Sequence, residues 1–249
     1  MAKQEKLKNV WEVEKDGNVS YLIGSMHALP YSHKDDLREY LENAENVAFE
    51  IDLDTQPAMR PEEVYIFSGT LEDMLPEETV EKVKKISGLE KWQTYRHLTP
   101  QMVYMMLNQD IPKNMGWKHE MDLDCYKMAK GSGKNVVGLE DIQEHYDLFF
   151  KMPKEKAIAA LAEIDKDSGS LGKMLELYEN GDVSPALDEM KKDPDTYKAF
   201  VDDRDEILAN GMEELFEDGP SLVCVGLAHS PGIISKLEKK GYRIKKVSG

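Results

Sequence analysis

The 249-residue chain is 41% hydrophobic and 32% charged, enough apolar material to bury a core in one large or two small domains. Its net charge of -16 argues against binding a nucleic-acid backbone, which needs clustered Lys and Arg, and suits an acidic, well-wetted, soluble protein. Two cysteines provide neither a disulfide framework nor metal-ligand spacing, and no apolar run reaches the ~18 residues of a membrane span.

The leading MAKQEKLKNV contains no apolar signal region. The protein is therefore expected to be cytoplasmic, or extracytoplasmic if an export signal has been removed. Residues 10–15 and 20–24 are apolar runs flanking Asp16-Gly17-Asn18, a hairpin signal. The second run ends as Tyr21-Leu22-Ile23-Gly24-Ser25-Met26-His27, presenting a histidine just past a glycine. A loop with Pro30 and His33 follows, where His33 either rims a cleft or is solvated. A helix over 35–43 follows, with Leu37, Tyr40 and Leu41 on one face. Residues 47–52 alternate as a strand that sets Ala48, Glu50 and Asp52 on one side.

Residues 55–115 read as helical and rich in methionine. One helix opens at Pro76 and stops at Gly88, and another starts at Thr99-Pro100. The methionines read as soft core packing, or as an adaptable groove for a flexible apolar ligand such as a peptide. Residues 119–130 form a helix with Met121, Cys125, Met128 and Ala129 inward and Asp122 at the edge of that face. Both cysteines read as buried small residues. Residues 134–138 are a strand leading to Glu140, and 141–192 alternate helices with Gly and Pro breakers. The longest helix, 195–217, carries Arg204 within its apolar stripe, either snorkelling outward or paired with a buried carboxylate. The strand Leu222-Val223-Cys224-Val225-Gly226 leads to His229, and a helix and a closing strand complete the chain.

This order predicts an α/β fold with a mostly parallel central sheet and large helical insertions, about 55–130 and 141–217, in a single domain. In such a sheet the strand ends share one edge, which brings His27 and His229 together although 202 positions separate them (229 - 27). With Glu50 and Glu140 beside them they make a plausible divalent-metal site, better suited to Zn, Mn, Co or Fe(II) than to Ca or Mg. A spare carboxylate would accept a proton from an activated water. Metalloprotease HExxH, CxxC, nucleophile-elbow and P-loop patterns are all missing. Ser25 reads as a turn residue and the other histidines, His97, His119 and His145, as surface. His119 with Asp122 is a minor alternative ligand pair.

Several of these residues carry a resemblance. Trp11-Glu12-Val13, the Gly24-to-His27 segment, Phe49-Glu50-Ile51-Asp52, Met121-Asp122-Leu123, Val137-Gly138-Leu139-Glu140, Arg204 and Val225-Gly226-Leu227-Ala228-His229-Ser230-Pro231-Gly232 together resemble the TraB/GumN/PrgY family, whose animal relatives are the TIKI proteins. The resemblance spans nearly the whole chain. It implies a metal-dependent hydrolase, with peptide cleavage as in the TIKI branch. His27 and His229 would be ligands, Glu50 and Glu140 ligand or general base, and Arg204 would pair with an acid or bind substrate. Ser25, Asp122 and His33 are the remaining substrate-side candidates. The chain departs from the family at Ser25, where threonine is usual, at Asp205, where asparagine is frequent, and at Ser230, where leucine is frequent. Members described as pheromone-signalling inhibitors leave a non-catalytic peptide- or signal-binding protein as the alternative, with a non-peptide ester hydrolase as a third reading.

Overall fold

The computed structural model describes residues 7–247, so the first six residues of the polar leader and the last two of the chain lie outside the described residues. In chain order the elements are β1 (Val10–Lys15), β2 (Asn18–Ser25), α1 (Lys34–Glu42), β3 (Asn46–Phe49), α2 (Pro61–Val64), α3 (Glu77–Tyr95), α4 (Pro100–Asn114), α5 (Met121–Gly131), β4 (Asn135–Gly138), α6 (Ile142–Phe150), α7 (Lys154–Ala162), α8 (Asp167–Asn180), α9 (Ser184–Met190), α10 (Pro194–Tyr197), α11 (Asp203–Glu217), β5 (Ser221–Gly226), α12 (Ser230–Lys239) and β6 (Arg243–Lys246). None of the helices among the described residues is long and apolar enough to cross a membrane.

The six strands form one mixed sheet in the order β4-β3-β5-β2-β1-β6. The pairs β3–β4, β3–β5 and β2–β5 are parallel, while β1 runs antiparallel to both β2 and β6. The β1–β2 hairpin turns at Asp16 and Gly17, whose φ values of 54° and 84° are the left-handed pair that a two-residue turn needs. The central strands are buried on both faces. Leu22, Ile23, Leu222 and Val223 are all fully covered, each contributing on the order of 2 kcal/mol.

The chain divides into two units. The sheet unit comprises the residues up to 56, 119–142 and those from 174 onward. One layer of its core packs Leu37, Leu41, Met121, Cys125 and Ala129 against Val47, Phe49 and Leu222. The other packs Leu208, Met212 and Phe216 of α11 and Ile233 and Leu237 of α12 against Leu22, Val223 and Val225. The helical unit, 57–118 and 143–173, has its own core around Leu71, Val83, Trp92, Val103, Leu107, Leu161 and Ile164.

Several details depart from the sequence reading. The strand expected over 47–52 ends at Phe49, where its registers with Gly138 and Cys224 both stop, so Glu50 lies just past a strand end. The helix starting after Pro76 breaks at Gly88, with φ 79° and ψ 156°, but resumes to Tyr95. The helix containing Met121 and Cys125 belongs to the sheet unit, because its apolar face packs on strands. Residues 174–217 likewise belong there. The long helix over 195–217 is assembled from α10, a π-helical turn at Lys198–Asp202 and α11.

Candidate functional site

Parallel strands place their carboxyl ends on one edge, and each of the four parallel strands delivers one candidate there. β2 leads to His27, β3 to Glu50, β4 to Glu140 and β5 to His229. The edge ladder continues past β3 and β4, with the Leu139 and Glu140 amides donating to the Phe49 and Glu50 carbonyls at 2.9 Å each. This holds the two glutamates side by side.

Arg204 joins the cluster from α11, one residue into the helix after the π-helical turn. Such a turn shifts helical register and is frequent at functional sites. The guanidinium forks onto Glu140, with Nε donating to Oε2 at 3.0 Å and Nη2 to Oε1. Nη2 also donates to Glu50 Oε2, and the Gly226 amide donates to Glu50 Oε1 at 2.6 Å. Arg204, Glu50 and Glu140 are 9%, 11% and 4% exposed at their side chains, so Arg204 is paired with buried carboxylates rather than snorkelling. Burial works against the charge on Glu50, but Arg204, His27 and the Gly226 amide outweigh it and hold its carboxyl well below the usual range. Burial likewise opposes the Arg204 charge, and Glu140 and Glu50 override it, raising its pKa further.

His229 sits in a short 3-10 turn between β5 and α12. Its Nδ1 lies 2.6 Å from Asp205 Oδ1 and its Nε2 3.1 Å from Arg204 Nη1. A guanidinium can only donate, so Nε2 accepts and Nδ1 carries the proton given to Asp205. Burial raises the Asp205 carboxyl above its usual value, and the His229 hydrogen bond offsets part of that rise. Two glycines make room for this geometry. A Cβ on Gly232 would lie 1.8 Å from Asp205 Oδ2, and one on Gly226 3.0 Å from Glu50 Oε1. Asp205 is the site residue that sequence reasoning missed. Its signal was present as a carboxylate next to a stripe-borne arginine.

His27 has a parallel arrangement. Its Nδ1 is 2.7 Å from Asp122 Oδ2. A two-way backbone bridge between Leu29 and His119 brings the start of α5 to the loop after β2, which is why Asp122 reaches it. The bond to Asp122 and its charge push the His27 pKa up to about 9, reinforced by Glu50 and opposed by Arg204. The His27 side chain is 79% exposed, so water screens this coupling.

The remaining candidates lie elsewhere or play other parts. Asp122, expected on the substrate side, supports His27 instead, and His119 faces Asp124 at 3.6 Å rather than Asp122. His33 is buried at 4% rather than solvated. Its Nδ1 lies 3.2 Å from Asp36 and its ring packs edge-on against Tyr31, because the loop entering α1 folds into the core. Burial lowers its pKa against the pull of Asp36. Ser25 is buried at 3%, and its Oγ, like Ser230 Oγ and Asp122 Oδ1, has no hydrogen-bond partner among the described residues. His97 is exposed as expected, whereas His145 is half-buried on α6 against the rings of Tyr146 and Phe149.

A family model described as the TraB/PrgY/gumN family matches residues 9–246. No curated protein and no solved structure matches the chain. The matched span runs from β1 to β6 and takes in both histidine segments, both glutamates and Arg204, so the chain belongs to the TraB/PrgY/gumN family.

Proposed function

We propose that this protein is a metal-dependent hydrolase, with a peptide as the preferred substrate class. The observation that supports it is the matched treatment of the two distant histidines. Each directs Nδ1 to an aspartate, which turns Nε2 toward a ligand as in carboxylate-supported metal sites; at His229 that nitrogen accepts from Arg204 Nη1, a bond the cation would replace. Two imidazoles and two carboxylates on one sheet edge are a donor set suited to a borderline divalent cation such as Zn, Mn or Co. His27 and His229, with one of Glu50 and Glu140, would hold that cation.

When bound, the cation supplies a water whose pKa falls toward ~7. The chain's own residues do the rest. Asp122 and Asp205 fix the imidazole orientations. The glutamate that does not hold the cation takes up the proton released by water and passes it to the leaving amine. The Arg204 guanidinium, whose N–H groups are engaged by Glu50, Glu140, His229 and the Phe200 carbonyl, holds the two carboxylates in position.

The test is elemental analysis of protein purified without chelators, alongside peptide-library digestion with added Mn, Co or Zn. His27→Ala and His229→Ala are each expected to lose bound metal and cleavage while keeping the wild-type circular dichroism. Full metal stoichiometry in both variants would remove the assignment.

A second reading, a non-catalytic peptide or signal binder, draws on Arg204 itself. It already spans both carboxylates and faces His229 Nε2, which is also how a permanent ion network would be built. On that reading, peptide binding persists in chelator and no fragments appear.

A further inference from the structure

The two cysteines meet in the core of the sheet unit. Cys125 on α5 and Cys224 on β5, 99 positions apart, place their Sγ atoms 3.5 Å from each other. Both are free thiols, 0% and 1% exposed, within a cluster that includes Phe49, Tyr126, Ala129 and Leu222. A disulfide spans about 2.05 Å, so the sulfurs need to close by about 1.5 Å to bond. The Cys224 thiol is directed at the other sulfur.

We propose that Cys125 and Cys224 form an intramolecular disulfide when the chain folds in the presence of a small-molecule disulfide, covalently tying α5 to β5. In the net reaction each cysteine thiol loses its proton and the two sulfurs join, giving up two electrons. The S–S bond of the oxidant breaks, and its halves leave as two thiols carrying those protons and electrons. Completed folding closes the route. In the folded chain the Cys125 contact and burial push the Cys224 thiol well up, so little thiolate is present to attack, and the core excludes the oxidant. The same burial shields the finished bond from reductants. The bond would join the element that presents Asp122 to His27 with the strand whose end presents Gly226 to Glu50.

The experiment refolds the reduced, unfolded full-length chain in a mixture of oxidised and reduced glutathione. Free thiols are then alkylated, and the product is examined by mass spectrometry without reductant. A parallel arm secretes the chain into an oxidising compartment, where no refolding step is needed. The expected product is an unalkylated monomer lighter by two hydrogens, yielding a proteolytic fragment that joins Cys125 to Cys224. Its melting temperature should exceed that of the reduced chain by roughly 5 °C or more. A native-like chain alkylated at both positions in both arms, or one carrying glutathione adducts or intermolecular links instead, would overturn the proposal.

Discussion

Removing the Arg204 guanidinium would leave Glu50 and Glu140 buried without their counter-charge. Arg204→Met is expected to cost about 3–5 kcal/mol in urea unfolding, because an uncompensated buried charge is worse than no pair. Arg204→Lys should lie between that variant and the wild type, keeping the charge but losing the fork onto Glu140. His27 makes a distinct prediction for pH. Its folded pKa of about 9 lies above the ordinary 6.5, so the folded state holds the extra proton between those values. Its contribution is complete below about pH 6.5 and disappears as pH rises to about 9. Wild type minus His27→Gln stability should therefore decline across that window, by a small amount because the ring is exposed. A flat difference would contradict the Asp122 pairing. Glu50 has the opposite sign: its depressed pKa stabilises the fold above the ordinary 4.5, and that stability is lost on acidification below it.

At the level of elements, the α11–α12 contact is what keeps Asp205 on His229. Gly232→Ala would drive a methyl to within 1.8 Å of Asp205 Oδ2, so the carboxylate must leave His229 or the helices must part. The expected cost is about 1–3 kcal/mol, with loss of the downfield Nδ1 proton of His229 by NMR. Gly172→Ala on α8 is the control. Nothing lies within 4 Å of its added methyl, and stability should rise by about 0.4–1 kcal/mol. The sequence reading was strongest at this scale where the signals were local. The hairpin turn at Asp16-Gly17 and the N-cap of Thr99 on the Met102 amide both follow from near neighbours. It was weakest at element ends. Nothing in Val47-Ala48-Phe49-Glu50-Ile51-Asp52 announces that pairing stops at Phe49, because that limit is set by partner strands 89 and 175 positions away (138 - 49 and 224 - 49).

At the level of the molecule, a net charge of -16 implies self-repulsion in the folded state. Melting temperature is expected to rise as monovalent salt increases from near zero to about 0.15 M, where the screening length is about 8 Å. A fall would mean that ion pairs outweigh the repulsion. The sequence by itself determined the strand pattern, the glycine exits, the two distant histidines and an arginine in an apolar stripe, since periodicity and turn chemistry are encoded within a few residues. The tertiary structure alone decided which acid serves which base: Asp122 for His27 across 95 positions, Asp205 for His229 across 24, and Glu50 and Glu140 for Arg204 across 154 and 64. It also decided that His33 is buried and that the two thiols touch. Such pairings depend on which strands become neighbours and on how helices cross them, and hydrogen-bond geometry at ångström scale leaves no periodic trace in the chain.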